Sequence, residues 1–220
     1  MLLNGNGGQI IISLPIEKEY KPFTLPPRND RMSRVFSYLL LTRGIDKDVL
    51  YEFMCRKIIY ESDDYHNAVF VGYDSNGKPR HAHKRGTVTN NPYKGNVAGS
   101  QSEFSFHWHG TSDKIFLFEA PIDMLSYISM HKDNWQRHSY AASCSVSDRV
   151  LFQCLKDNPN IKNVFLCFDN DEAGQTANKR IADKLNSMNI KSEILIPIHK
   201  DWNEDILNSE RTDEICRQVL

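Results

Sequence analysis

The sequence has no long apolar run and no paired cysteine motif. No apolar stretch approaches the roughly 20 residues that a membrane-spanning helix requires. The first nine residues lack the basic start and apolar centre of a signal peptide. The five cysteines are scattered without any Cys-x-x-Cys pair, which argues against both a zinc ribbon and a disulfide framework. We therefore expect reduced thiols, no membrane insertion and a cytoplasmic location.

An excess of charge of either sign is also lacking. Lys and Arg number 27 and Asp and Glu 28, so the formal net charge is −1. A chain with this balance would bind nucleic acid only through a local basic patch or through metal ions. Its 220 residues, of which 40% are hydrophobic, are typical of a globular protein with one large domain or two small ones.

Residues 1–31 contain few helix-forming patterns and many prolines. Four of the nine prolines lie there, and only residues 10–14 form an apolar stretch. We predict an extended arm or linker over 1–31, which could be what remains of a longer parent protein.

Residues 32–112 combine helical patterns with a hairpin signal. Val35, Tyr38, Leu39 and Leu41 recur at helical spacing and end before Gly44, a C-cap residue. Asp46 is placed as the N-cap of a second helix. Residues 68–73 and 80–83 flank a turn-rich stretch that is typical of a β-hairpin. We predict a small α+β domain over 32–112.

Residues 113–220 alternate between short apolar runs and helical patterns. The predicted strands cover 115–118, 139–142, 164–168 and 192–197. Continuous apolar strands separated by amphipathic helices are typical of a parallel sheet with both faces covered. The pattern predicts an α/β domain with a four-stranded parallel sheet, in which 164–168 is one of the central strands.

Acidic residues follow two of these strands at the edge where ligands bind in such sheets. Glu119 follows the first strand, and Asp169 and Asp171 follow the third. Residues two apart on an extended segment point the same way, so the two aspartates can converge on one site. Oxygen ligands suit Mg²⁺ or Mn²⁺. Gly174, at the start of the next helix, would let the backbone approach a phosphate. The alternative is that the aspartates only cap that helix.

Three motifs in this half resemble those of the Toprim domain of DnaG-type bacterial primases. They are Phe-Glu-Ala-Pro-Ile-Asp at 118–123, Phe-Asp-Asn-Asp-Glu-Ala-Gly at 168–174 and Lys-Asp-Trp-Asn-Glu-Asp at 200–205. The resemblance implies a Toprim-like four-stranded parallel sheet flanked by helices over 113–220. It also implies that Glu119, Asp169 and Asp171 are the catalytic and metal-binding residues. Further motif positions implied to contact phosphate or nucleic acid are Asp123, Gly174, Lys200 and Asp201.

The upstream half resembles a domain of unknown function, DUF3991, that accompanies Toprim domains in mobile-element proteins. The stretches that carry this resemblance are 38–45, 69–74, 84–87 and 98–100. Lys84 and Arg85 belong to the densest basic region and are candidates for contacting phosphate, although a solvated hairpin remains open. The histidine pairs 81/83 and 107/109 could share a metal on a strand, but we expect solvated or hydrogen-bonded histidines instead because no acidic or cysteine partner has the required spacing.

These features favour an enzyme, a primase-like transferase of nucleotidyl or phosphoryl groups that depends on Mg²⁺ or Mn²⁺. DNA or RNA and nucleotides are its expected substrates, and a replicative helicase or other mobile-element proteins are its expected partners. The first alternative is a non-catalytic module for nucleic-acid binding or recruitment within a larger mobile-element protein. The second is a phosphatase of the haloacid-dehalogenase type, which would leave Glu119 unexplained.

Overall fold

The computed structural model describes residues 22–88, 93–145 and 147–209. The predicted stretch 10–14 and most of the predicted arm lie outside them. Residues 22–31 lie against the strand Ile59–Glu61. The backbone amide of Asn29 donates to the Glu61 carbonyl at 2.9 Å, and the Tyr60 hydroxyl donates to the Pro26 carbonyl at 2.6 Å. None of the described helices is long and apolar enough to cross a membrane.

Two helices open the described fold. Helix α1, Ser33–Ser37, continues into a π-helical turn at Tyr38–Thr42, and α2 spans Lys47–Cys55. The predicted N-cap is confirmed, because the Asp46 side chain accepts hydrogen bonds from the amides of Asp48 and Val49. Leu41 shares the helical spacing of Val35, Tyr38 and Leu39 in the sequence, but it does not share their burial, since its side chain is 77% exposed. The wider π turn changes the angular spacing of the residues and rotates this side chain toward solvent.

The first sheet is antiparallel and contains four strands in the order β1-β2-β3-β4. Its strands are β1 (Ile59–Glu61), β2 (Ala68–Tyr73), β3 (Pro79–Arg85) and β4 (Lys94–Asn96). The predicted hairpin is β2 and β3, joined by a turn in which Gly77 has a positive φ of 72°. Successive residues of β3 point to opposite faces of this sheet, so neighbouring side chains on β3 contact different parts of the protein.

The second sheet contains the predicted four parallel strands and one additional strand. Its order is β5-β7-β6-β8-β9, and all neighbouring pairs are parallel except β5 with β7. The strands are β5 (His107–Trp108), β6 (Lys114–Phe118), β7 (Ser139–Ala142), β8 (Asn163–Cys167) and β9 (Lys191–Ile194). The prediction that 164–168 forms a central strand is confirmed, because β8 lies between β6 and β9.

Helices connect the parallel strands. They are α3 (Pro121–Met130), α4 (Arg149–Asp157) and α5 (Glu172–Ser187), and residues 202–209 are also helical. Parallel strands joined by helices bring the carboxyl ends of β6 and β8 to the same edge of the sheet.

A single apolar cluster connects the two sheets. Phe53 of α2 stacks on Trp135 with ring centroids 5.3 Å apart, and it also lies 5.6 Å from Phe106. The same cluster contains Phe70 of the first sheet and Phe118 of the second. Burial of these large side chains stabilises the association of the two sheets, since each buried aromatic side chain contributes about 1.5–3 kcal/mol. The packing therefore fixes the first sheet beside the carboxyl edge of the second.

Candidate functional site

Two acidic side chains lie at adjacent strand ends of the second sheet. In the parallel pairing of β6 with β8, Phe118 is opposite Cys167. Glu119 follows β6 directly, and Asp169 lies two residues beyond the end of β8. The structure therefore brings Glu119 and Asp169 to one edge.

Asp171 is close to this pair and also caps a helix. Its carboxylate accepts a hydrogen bond of 2.8 Å from the amide of Gly174, so it is the N-cap of α5. A Cβ at Gly174 would overlap the carbonyl oxygen of Asp169, so only glycine fits this close approach of helix and strand end. Because the Gly174 amide is already bonded to Asp171, its N–H is not free for the phosphate contact that we predicted from the sequence.

Burial and neighbouring carboxylates raise the pKa values of Asp169 and Glu119. Burial, together with the negative charges of Glu119, Asp201 and Asp171, raises the pKa of Asp169 to about 7, although Lys200 lowers it. Burial and the charge of Asp171 likewise raise the pKa of Glu119. Mutual effects of this kind require the acidic groups to be near one another in a poorly solvated place.

The donor atoms at this edge fit Mg²⁺ or Mn²⁺. One carboxylate oxygen of Asp169, Oδ1, is buried and has no hydrogen-bond partner in the described part of the chain. Within the same residues, no group of three His, Cys, Asp or Glu side chains is arranged to hold a metal ion. Mg²⁺ commonly binds to one or two carboxylates and completes its coordination with water and substrate phosphates. Glu119 and Asp169 are suited to such a site, and Asp171 lies beside them.

A cavity of about 480 Å³ opens in front of these acids. Glu119 and Asp169 line one wall, together with Asp123 and Asp201 of the motifs predicted from the sequence. The opposite wall comes from the first sheet and the π turn, and the basic residues that line the cavity are Arg43, Arg85, Lys94 and Lys200. An acidic wall that faces a basic wall can hold a metal ion and an anion at the same time.

Lys84 and Arg85 do not act as a pair. Arg85 lines the cavity, whereas the ammonium group of Lys84 forms an ion pair with Asp64 at 3.1 Å and lies 5.7 Å from the centre of the Tyr93 ring. Their side chains point to opposite faces of β3 because they are neighbours on a strand. Of Lys84 and Arg85, both predicted as candidates for contacting phosphate, only Arg85 lines the cavity.

Asp123 and Asn203 connect the cavity to the core. Asp123 is buried in the first turn of α3, and burial raises its pKa well above the usual value, with further contributions from Asp169 and Asp201. The Asn203 side chain donates to the carbonyl of Arg43 at 2.7 Å and to the hydroxyl of Ser126 at 3.0 Å. These bonds join the π turn of the upstream half to the last acidic motif.

Sequence reasoning missed Arg43 and Asn203. Arg43 precedes the predicted C-cap residue Gly44, and nothing in its local pattern distinguishes it from a solvated arginine. Asn203 lies within the motif 200–205, so its position in the sequence beside Asp201 could have indicated a contact with the site.

The histidine pairs are hydrogen-bonded or buried and form no metal site among the described residues. His107 Nδ1 lies 2.6 Å from the Ser105 carbonyl, and His83 Nδ1 lies 2.7 Å from the Asn96 side-chain oxygen. Burial lowers the pKa of His81 to about 4, and it does the same for His107. These imidazoles are therefore neutral near pH 7.

Comparison with known proteins agrees with this geometry. Residues 116–206 match the Toprim-like family model. Residues 37–112 match the model of DUF3991, a protein family of unknown function. The chain thus carries a DUF3991 region followed by a Toprim-like region, and both resemblances inferred from the sequence are confirmed.

A curated relative is similar to this chain at low identity. It is an uncharacterized protein of Bacillus anthracis, pXO2-78, which is 26% identical over 163 residues. The match covers 69% of this chain and 47% of the relative, so this chain spans about half of the length of that protein. As a plasmid homologue, it is consistent with an association with mobile elements.

Primase structures share the fold. The primase fragment of the bacteriophage T7 primase-helicase superposes with a TM-score of 0.57 at 23% identity, covering 81% of this chain and 72% of that one. The catalytic core of the E. coli primase gives a TM-score of 0.54 at 14% identity, covering 81% and 69%. At these identities the likeness shows the fold alone.

Proposed function

We propose that this protein is a primase-like enzyme that transfers nucleotidyl or phosphoryl groups on nucleic acid with the help of Mg²⁺ or Mn²⁺. The observation that carries the proposal is the buried, unpartnered Oδ1 of Asp169 beside Glu119 at the carboxyl edge of the sheet. A buried carboxylate oxygen without a partner is costly, and a divalent cation would compensate for that cost.

In this proposal Glu119 and Asp169 hold the metal ion, and Asp171 contributes from the helix cap. The bound metal would neutralise charge that develops on a phosphate during transfer. Asp171 also fixes the turn that presents Asp169, through its bond to Gly174. Two residues of the last motif affect the pKa of Asp169 in opposite directions: Lys200 lowers it and Asp201 raises it.

Glu119 is proposed as a general acid or base as well as a metal ligand. Burial and the neighbouring Asp171 raise its pKa, so it exchanges protons closer to neutral pH than an ordinary glutamate does. A group with a pKa nearer to the working pH is better suited to accept a proton from an attacking hydroxyl group or to return it to a leaving group.

The expected substrates are nucleotides and a DNA or RNA strand, and the expected partners are a replicative helicase or other mobile-element proteins. The T7 structure that shares this fold is a fragment of a primase-helicase, which supports a helicase as the kind of partner. Such a function would be exercised in the cytoplasm, where a bacterial cell keeps its DNA and nucleotides.

The test is an assay of nucleotide incorporation on single-stranded DNA with Mg²⁺ or Mn²⁺. We expect metal-dependent product from the wild type and a loss of at least about 100-fold in Asp169→Asn, the scale on which single catalytic groups act. Asp183→Asn is the matched control, because Asp183 is an exposed acid on α5 that does not line the cavity. Metal-independent DNA binding without any product from the wild type would instead favour the recruitment module.

A further inference from the structure

The outer edge of β9 is the longest strand edge that no other described strand covers. Strand β9 ends the order of the second sheet, and its four residues pair only with β8. The end strands β4 and β5 are shorter, with three and two residues. The remaining end strand, β1, is covered, because Arg28 forms a β-bridge with Ser62 next to it. An uncovered edge is a template to which a further strand can add.

Ser192 and Ile194 direct their backbone groups out of this edge. The Leu195 amide donates inward to a carbonyl of β8 at 2.9 Å. Because backbone groups alternate in direction along a strand, those of Ser192 and Ile194 point the opposite way. The Ile190 amide is bonded to the Leu185 carbonyl at 3.0 Å, which leaves the Ile190 carbonyl to accept from a further strand. The edge therefore offers both donors and acceptors.

Exposed apolar side chains and unpaired charges lie beside these backbone groups. Ile194 is 42% exposed, Ile196 is 52% exposed, and Met188 at the C-cap of α5 is 50% exposed. Lys191 and Glu193 are exposed on the other face of the strand, and neither forms an ion pair with a described residue. Exposed apolar residues along an unprotected edge are typical of a surface that binds another strand.

We propose that β9 pairs with the β9 strand of a second copy of this chain, antiparallel and about a two-fold axis at Ser192. In this register each Ser192 is opposite Ser192 of the other copy, and the two exchange backbone hydrogen bonds. Ile194 is opposite Ile190, whose carbonyl accepts from the Ile194 amide. Lys191 is opposite Glu193. Apolar residues thus meet apolar residues, and opposite charges meet each other.

The charges of β9 select this register and this partner. A shift by two residues in one direction places Glu193 opposite Glu193, and a shift in the other direction places Lys191 opposite Lys191. Like charges directly opposite each other destabilise a strand pair. A strand with one basic and one acidic residue on the same face is complementary to itself when antiparallel, which favours a second copy over an unrelated strand.

The pairing would join the second sheets of two copies into one sheet of ten strands, five from each copy. Because the copies run in opposite directions, the carboxyl edges of their parallel strands lie on opposite sides of the shared sheet. The cavity of each copy therefore stays open, and the inference is independent of the reaction proposed for that cavity.

The experiment is sedimentation equilibrium of the full chain. A contact this short buries less than the roughly 1,200 Å² of a stable interface, so association is weak and the concentration must be high. We expect a reversible dimer of twice 25.4 kDa. Its Kd should be on the order of 100 µM, measured over about 5–500 µM. A wild type that stays monomeric over this range would overturn the proposal.

Exchange of the charges tests the register. Glu193→Lys and Lys191→Glu each place like charges opposite each other and should weaken association by about 10-fold. The double variant Lys191→Glu/Glu193→Lys restores opposite charges and should associate within about 3-fold of the wild type. Asp133→Lys is the matched control, because it makes the same change of charge at an exposed position between α3 and β7. A double variant as weak as either single variant would show that the two residues do not meet.

Two further measurements locate the contact. In Ser192→Cys the substituted positions of the two copies lie about 5.5 Å apart between Cα atoms, so a short cross-linker for thiols should join them. The wild type and Ser75→Cys, at an exposed turn between β2 and β3, should not give this cross-link. Hydrogen exchange of the Ile194 amide should slow as protein concentration rises. Slow exchange at every concentration would mean that another segment of the same chain covers the edge, and the proposal would fail.

Discussion

Replacing Asp169 with asparagine should stabilise the metal-free protein, although it removes a residue from the proposed active site. The pKa of Asp169 is raised from 3.8 to about 7 in the folded state. Between pH 3.8 and pH 7 the carboxyl group of Asp169 keeps its proton in the folded protein, whereas it has released it in the unfolded chain. The free energy of unfolding of the wild type therefore falls as pH rises from about 4 to about 7 and stays lower above that, by linkage.

The size of this effect follows from the difference in pKa. At about 1.4 kcal/mol for each pH unit, the difference corresponds to an upper limit of about 4 kcal/mol. Because Asp169 is only partly buried and solvent screens its neighbours, we expect on the order of 2 kcal/mol. For a chain of this length that amount raises Tm by roughly 4–8 °C.

The assay is thermal and urea denaturation of the wild type and Asp169→Asn in chelator at pH 5 and at pH 8. The variant should be more stable at pH 8, and its advantage should shrink at pH 5, where the wild-type carboxyl group is largely protonated when folded. Added Mn²⁺ should reduce the advantage of the variant at pH 8, because the wild type gains more from binding. If the wild type is more stable in chelator at both pH values, the charges at this edge do not repel as we infer.

Two further predictions concern other parts of the fold. Both ring nitrogens of His81 are buried and have no hydrogen-bond partner among the described residues, and the pKa of His81 is lowered to about 4. Acid should therefore destabilise the protein as pH falls from about 6.5 to 4. His81→Leu should lose less stability between pH 7 and pH 5 in urea melts, and a loss equal to that of the wild type would refute this. Gly174→Ala should cost about 1–3 kcal/mol in the free energy of unfolding, because a Cβ would overlap the Asp169 carbonyl oxygen. Gly95→Ala, which meets only the end of the Tyr93 side chain, is its control and should be nearly neutral.

The parallel strands of the second sheet could be predicted from the sequence because the patterns that indicate them are local. The run 164–168 is apolar, and the helix of 172–187 shows a helical period of apolar residues. The acidic residues directly follow strands. Periodicity and the rules for parallel sheets therefore predict the edge of the sheet at which Glu119 and Asp169 meet. The resemblance to Toprim motifs then added the positions Asp123, Lys200 and Asp201, which line the same cavity.

The basic wall could not be predicted because it depends on long-range contacts. Arg43 reaches the cavity through a π turn and through a bond to Asn203, 160 residues further along the chain. The pairing of β3 also decides which of Lys84 and Arg85 faces the cavity, and the adjacent basic residues give no indication of that choice. Strand β5 joins the second sheet although its two residues carry no distinctive strand signal.

The measurement that tests the central claim most directly is Mn²⁺ binding, followed by electron paramagnetic resonance with Mg²⁺ as competitor. The account predicts one site in the wild type that Mg²⁺ displaces, with protons released on binding near pH 7 because the carboxyl group of Asp169 is then about half protonated. Asp169→Asn should bind Mn²⁺ at least about 10-fold more weakly, and Asp183→Asn should bind it like the wild type. Equal Mn²⁺ affinity in wild type and Asp169→Asn would contradict the metal site, and the catalytic function proposed for this edge would fail with it.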